Sequence, residues 1–199
     1  MGRNLRRYED EHGGFLMLKP ICTVMVGLPG LGKSTHVEHE LKIYDVTDTD
    51  VTVYSTDDYI ESVAAKKGKT YDEVFSETIG EATGRMDEYL RYAIKDGRDV
   101  IWDQTNIGIG KRKKIINRMK QAGYQVRCIC IAPPEASHID DQKEWKYRLV
   151  NRKGKTIPEH IMANMIKSYV TPSTKEGFDM VVHYNMHGAL IGTDYGEDV

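Results

Sequence analysis

Gly27-Leu28-Pro29-Gly30-Leu31-Gly32-Lys33-Ser34, followed by Thr35, is a complete G-x-x-x-x-G-K-S phosphate-binding loop. An apolar, β-branched run at 21–26 precedes it and reads as a buried strand, and residues 35–41 read as the first turns of a helix. Strand, glycine loop and helix in that order form the context such a loop requires. The glycines Gly27, Gly30 and Gly32 let backbone N–H groups turn inward around phosphate oxygens, and the helix N-terminus adds its own donors through Thr35. Lys33 is placed to reach the β- and γ-phosphates of a nucleoside triphosphate, and the Ser34 hydroxyl to ligate Mg²⁺. The competing reading is a Gly/Pro-rich turn with no ligand.

Further along, short apolar runs alternate with helical patterns. Strands are expected at 51–54, 99–102, 125–131 and 180–183, and amphipathic helices at 81–95, after Gly110, over 135–151 and after Pro158. The basic stretch within 62–77 reads as a broken helix with a loop. Five strands alternating with helices and opening on a phosphate loop predict an α/β fold, a parallel sheet covered by helices on both faces. The chain of 199 residues fits one domain. Residues 1–16 read as a polar tail, 17–187 as the folded domain and 188–199 as an acidic, disordered tail.

Carboxylates at the C-terminal ends of parallel strands face the crevice where open α/β sheets bind ligands. Asp57 and Asp58 follow the strand at 51–54, and Asp103 follows the strand at 99–102. Asp57 or Asp58 is placed to accept a proton from a substrate hydroxyl, although Ser, Thr and Asp also serve as ordinary helix caps. Asp103 resembles the second acidic element of nucleotide-loop proteins, which helps to hold Mg²⁺. Thr105 and Asn106 set uncharged donors beside it. Arg148 and Arg152 are four apart and share a face if one helix runs through both. With Gly154 as a hinge, residues 135–157 make an Arg-rich lid that brings positive charge to a transferring phosphoryl group. A solvated basic helix is the alternative. Lys111-Arg112-Lys113-Lys114 is either a contact for nucleic-acid phosphates or an exposed helix face.

The net charge of -2 does not announce a nucleic-acid binder. The cysteines Cys22, Cys128 and Cys130 lie within expected strands, without disulfide spacing, and read as buried thiols. No apolar stretch reaches membrane-spanning length and no signal-peptide core is present, which gives a cytoplasmic expectation. A guanine-reading Asn-Lys-x-Asp element is absent, which argues against a GTPase switch, and the chain is short for a motor ATPase.

Taken in order, G-L-P-G-L-G-K-S-T, Thr56-Asp57-Asp58-Tyr59, Asp103-x-Thr105-Asn106, Arg148-x-x-x-Arg152 and the stretch from Pro158 to the closing E-G-F-D resemble the phage-type polynucleotide 5′-hydroxyl kinases. The resemblance runs from about residue 21 to 183. It implies a P-loop kinase fold and Mg²⁺-dependent transfer from ATP to a hydroxyl of DNA or RNA, in a host cytoplasm if phage-encoded. By the same resemblance Asp57 is the general base, Lys33 and Ser34 hold the donor phosphates and the metal, and Arg148 and Arg152 touch the transferring group. Asp58, Tyr59, Thr105 and Asn106 fall on the acceptor side. Two departures bear on the acceptor. Ile60 stands where the family often has an Arg that grips a 3′-phosphate, and Asp103-Gln104-Thr105-Asn106 replaces a direct D-T-N. A polynucleotide 5′-OH, the hydroxymethyl group of a modified pyrimidine in DNA, and a nucleoside or other small molecule therefore all remain as acceptors. A nucleotide switch without acceptor chemistry is the reading from a different class.

Overall fold

The computed structural model describes residues 6–9, 15–47, 50–152 and 155–196. In chain order the elements are β1 (Arg6–Glu9), β2 (Phe15–Leu18), β3 (Ile21–Val26), α1 (Lys33–Thr47), β4 (Val51–Tyr54), α2 (Asp57–Lys67), α3 (Tyr71–Asp96), β5 (Asp99–Trp102), α4 (Ile109–Gln121), β6 (Gln125–Ile131), α5 (Ile139–Val150), α6 (Glu159–Ser168), β7 (Met180–Tyr184) and β8 (Leu190–Tyr195). The main sheet has the order β4-β5-β3-β6-β7-β8, parallel from β4 through β7.

Alternation along β3 explains the two-sided core. Cys22, Val24 and Val26 face a cluster with Met86, Leu90 and Ala93 of α3 and Ile115, Ile116 and Met119 of α4. Met25 faces the other side, with Val37 of α1, Trp145 of α5 and Met162 of α6. Strands buried on both faces read as continuous apolar runs, and helices on each face cover them. All three cysteines are buried free thiols; Cys22, Cys128 and Cys130 share the α3/α4 face, and burial pushes the Cys130 thiol up to about 11. A third cluster, Ile60, Ala64, Val74 and Ala82, joins α2 to α3.

Three expectations are corrected. The five expected parallel strands are present, but a sixth, β8, runs antiparallel to β7 where a disordered acidic tail was expected. The connecting turn makes this pairing possible. The Asn185 Oδ1 accepts from the N–H groups of His187 (2.9 Å) and Ala189 (3.0 Å), and Gly188 takes φ +83. β8 is exposed at both ends and shows no apolar alternation, so it left no period-two signal. Second, the expected N-terminal tail contains an antiparallel ladder, with Arg6 paired to Leu18 and Glu9 to Phe15, separate from the main sheet. Third, α3 begins ten residues earlier than expected, at Tyr71. A capping box starts it: Thr70 N–H donates to Glu73 Oε2 at 2.7 Å, and Thr70 Oγ1 accepts from Glu73 N–H. Residues 1–5, 10–14, 48–49 and 197–199, and the hinge expected at Gly154, lie outside the described residues. Among the described residues no helix is long and apolar enough to cross a membrane.

Candidate active site

The phosphate loop joins β3 to α1 and is fixed from three sides. Gly27 N–H donates to Thr105 O at 3.1 Å, which locks the loop's start to the segment after β5. A Cβ at Gly27 would stand 3.1 Å from Ile131 O, so the β6 end allows only glycine's bulk. Trp145 Nε1–H of α5 donates to Pro29 O at 2.8 Å, and Gly30 takes φ +79 with Leu149 3.1 Å from where a Cβ would be. Trp145 was missed in the sequence reading because a buried Trp in an amphipathic helix reads as core. Only its ring nitrogen, aimed at the loop, shows its second task.

Lys33 Nζ donates to Gly27 O (2.9 Å) and Leu28 O (3.1 Å), curling back over the loop it belongs to. Burial lowers its pKa to about 8; Arg152 and Lys155 push the same way, and Asp103 and Asp57 oppose them. Asp103, Arg152, Asp57 and Lys155 thus all act on the charge of Lys33. A cleft of about 620 Å³ opens beside the loop, walled by residues 29–36, by Arg148 and Arg152, and by the Met186–Gly188 turn. Arg148 and Arg152 both reach this cleft, though not as expected: α5 ends at Val150, so they do not sit on one continuous helix. Arg148 is fixed by Glu144 Oε1 (3.0 and 2.5 Å) and donates to Met186 O at 2.9 Å.

Asp57 opens α2, in the first turn, where the helix dipole favours an anion. The N-cap position belongs to Thr56, so neither Asp57 nor Asp58 is the cap. Asp57 Oδ1 accepts the Tyr71 hydroxyl at 2.8 Å, and Oδ2 accepts the Lys155 ammonium at 2.8 Å. Burial alone would raise this carboxyl's pKa, but Lys155, Tyr71 and Arg152 together hold it below the ordinary value. Asp58 stands at the surface, and partial desolvation of its carboxyl, with Glu61 and Asp57 nearby, raises its pKa. Burial raises that of Asp103 too, with Lys33 opposing. Ser34 and Asp103 offer hard oxygen donors, the set that suits Mg²⁺ bound by one or two carboxylates plus phosphates. Among the described residues no group of three His, Cys, Asp or Glu could hold a metal by itself.

Several acceptor-side residues stand elsewhere than expected. Asn106 is fully buried at φ +46, and its Nδ2 donates to Met25 O at 2.8 Å, tying β3 to the loop after β5. The Nδ2 is taken by backbone carbonyls while the buried Oδ1 has no hydrogen-bond partner, and with no exposed surface the side chain serves as a strut between β3 and the segment after β5. Thr105 contributes its carbonyl to the phosphate loop. Tyr59 turns to α3, where its hydroxyl donates to Glu81 at 2.6 Å. Ile60 is fully buried between α2 and α3, so the side chain at this position faces the core. Arg112, read as part of a basic run, is fully buried and donates to both oxygens of Glu176 (2.7 and 2.6 Å) and to the carbonyls of Asn106 and Ile107. The E-G-F-D stretch is thus architectural: Glu176 holds Arg112, Phe178 is core, and Asp179 accepts from Val126 N–H at 2.6 Å. Lys155 was not singled out by its sequence context, because a Lys in a basic stretch gives no signal of its partners.

The profile of the AAA domain family matches residues 23–172. The chain belongs to this family. Among curated proteins it is 26% identical over 157 residues to an L-seryl-tRNA(Sec) kinase from Methanococcus maripaludis, a match spanning 79% of this chain and 55% of that protein. The chain therefore spans about half the length of this relative. Among solved structures it is similar to a chain from the PezAT chromosomal toxin–antitoxin system of Streptococcus pneumoniae, with a TM-score of 0.57, 18% identity, and coverage of 88% of this chain and 71% of that one. It is also similar to a chain of the AvrRxo1-ORF1:AvrRxo1-ORF2 complex determined with ATP, with a TM-score of 0.63, 13% identity, and coverage of 87% and 57%. At these identities the structural likenesses speak for the fold. This member of the AAA domain family has the α/β architecture of a P-loop kinase.

Proposed function

We propose that this chain is an ATP- and Mg²⁺-dependent kinase that phosphorylates a hydroxyl carried on a nucleic acid, with a polynucleotide 5′-OH as the first candidate. One observation carries the reading: the Asp57 carboxylate is held by Tyr71 and Lys155, both at 2.8 Å, just beyond the C-terminal end of β4, on the side of the parallel sheet where the phosphate loop leaves β3. A nucleotide switch places an acid for its metal, the position of Asp103 here, and has no acceptor hydroxyl for a second carboxylate such as Asp57 to deprotonate. A kinase needs one, to take the proton of the attacking hydroxyl.

In the proposed reaction the triphosphate lies along the 620 Å³ cleft, its phosphates against the loop N–H groups. Lys33 exchanges its two carbonyl partners for phosphate oxygens. Asp57 accepts the acceptor's proton as its oxygen attacks the γ-phosphorus in line and the bond to the β-phosphate oxygen breaks. Arg152 and Lys33 offset the charge that develops on the equatorial oxygens. Ser34 and Asp103 are the residues that would hold Mg²⁺, which supplies charge neutralisation between the β- and γ-phosphates when bound.

The phage-type resemblance supports the 5′-OH acceptor. The L-seryl-tRNA(Sec) kinase supports a second acceptor, a hydroxyl on an aminoacyl group carried by RNA. Both place the hydroxyl on a nucleic acid. Radiolabelled ATP offered with 5′-OH oligonucleotides, hydroxymethyl-modified duplexes, seryl-tRNA and free nucleosides separates them by where the label appears. Label in a 5′ terminus or in the aminoacyl group supports the proposal. Label only in nucleosides or other small molecules refutes the nucleic-acid acceptor, and nucleotide binding with no transfer to any of them refutes the kinase reading. In the labelled reaction Asp57→Ala is expected to lower turnover by roughly 100-fold or more while ATP affinity stays nearly unchanged. Near-normal turnover in that variant would remove Asp57 as the base.

A further inference from the structure

We infer that Lys155 is a positioning residue for phosphoryl transfer, one that sets the orientation of Asp57 by bridging it to Glu61; the inference rests on the reading of Asp57 as the base. Lys155 Nζ lies 2.8 Å from Asp57 Oδ2 and 2.5 Å from Glu61 Oε1, and 4.6 Å from the centroid of the Tyr71 ring. Its own side chain is 13% exposed, while those of Asp57 and Glu61 are 47% and 54% exposed, so the ammonium is the buried member that two half-exposed carboxylates close over. The next residue secures the arrangement: Thr156 N–H donates to Asp72 Oδ2 at 2.9 Å. Beyond it, Ile157 packs against the cluster that holds Trp145 and Met162. Residues 155–157 therefore span from the first turns of α2 and α3 to the core beneath α5 and α6.

The contact leaves Asp57 able to work. Tyr71 takes one lone pair on Oδ1 and Lys155 one on Oδ2, and each carboxylate oxygen has a second for an incoming hydroxyl. What the two donors remove is rotational freedom. A carboxylate fixed at both oxygens presents its remaining lone pairs in a set direction, which proton abstraction in line with phosphoryl transfer requires.

Charge gives the inference a distinctive readout. The groups that bear on Asp57 are Lys155, Arg152 and Lys33 as cations, Tyr71 as a neutral donor, and Glu61, Asp58 and Asp103 as acids. With Lys155 present the cations dominate. Without it, the acids on α2 and at the end of β5 face a carboxyl supported by Arg152, Lys33 and the Tyr71 hydrogen bond. The Asp57 pKa then rises, because an adjacent opposite charge and its hydrogen bond are lost.

The test measures Asp57 directly. ¹³C-carboxyl NMR of the full chain follows the Asp57 titration in wild type, Lys155→Met and Lys155→Arg; the Met variant keeps the apolar stem, and the Arg variant keeps the charge. The expected result is an upward shift in Lys155→Met, reversed in Lys155→Arg. With ATP and a 5′-OH oligonucleotide, the acid limb of kcat should move by the same amount, kcat should fall by at least tenfold at neutral pH, and KM for ATP should stay within about twofold. An unmoved carboxyl titration overturns the inference. So does a loss of activity that tracks a lower Tm in both variants with no change in the acid limb, because that is what a structural strut would give. Asp57→Asn is the separate arm for the underlying reading. If it retains turnover, the base assignment fails, and the role of Lys155 with it, even where the NMR shift is found.

Discussion

Raising the pH should weaken ATP binding through one residue, and the structure sets the size of the effect. Before nucleotide binds, the Lys33 ammonium donates to two loop carbonyls, and burial lowers its pKa to about 8. Phosphate oxygens favour the ammonium form, so the bound state returns the pKa to the ordinary lysine range or above. At pH 7 about nine-tenths of the free chain carries the charge, and at pH 9 about one-tenth. Only the protonated fraction binds without first taking up a proton, so affinity should fall roughly tenfold between those pH values, or about 1.4 kcal/mol. Calorimetry at pH 8 in two buffers of different ionisation enthalpy should show uptake of about half a proton per ATP. Lys33→Arg keeps a charge that does not titrate in this range, and its affinity should be flat from pH 7 to 9. The nucleotide-free protein gives a second check, with a definite sign. A lysine whose folded pKa lies below its unfolded value of 10.5 binds fewer protons when folded, so stability should rise with pH between about 8 and 10.5. Flat ATP affinity in wild type with no proton uptake would refute the placement of Lys33 against the phosphates.

Other perturbations test separate parts of the molecule. Arg152→Ala should lower kcat more than it raises KM for ATP, because the proposed reaction uses its charge on the transferring group; steady-state kinetics showing the reverse split would make it a binding residue. Arg112→Met leaves the Glu176 carboxylate buried without its partner and should cost about 3–5 kcal/mol in urea denaturation, whereas removing both charges in Arg112→Met/Glu176→Gln should cost less. Equal losses would mean the pair is not coupled. Trp145→Phe removes the donor to Pro29 O and should raise KM for ATP several-fold, with a stability loss of about 1 kcal/mol in the same denaturation assay. An unchanged KM would show that the phosphate loop holds its shape without this contact.

The donor half of the site was readable because it is local. Gly27, Gly30, Gly32, Lys33 and Ser34 lie within one run of eight residues, and their spacing encodes a strand, a loop and a helix start. The strand-end carboxylates were readable for a similar reason: β4 and β5 leave Asp57 and Asp103 at one edge of the sheet whatever the helices do. The acceptor half depends on which way a side chain points, and sequence spacing does not settle that. Asn106 and Ile60 lie beside chemically suggestive residues, yet both face inward, because the α2–α3 packing and the β3–β5 junction needed a filler and a strut.

What the sequence by itself determined is the fold class, the phosphate loop and the five strands β3 to β7 along the chain, since periodicity and short motifs are properties of neighbouring residues. The tertiary structure alone decided the long-range pairings. Lys155 meets Asp57 across 98 positions, Trp145 meets Pro29 across 116, and Arg112 meets Glu176 across 64. It also decided that the last strand is β8, whose pairing is set by a turn and a partner edge and not by any pattern of its own. Contacts of that separation form only when the sheet has closed, so the charges that tune Asp57 and Lys33 are products of the fold as a whole.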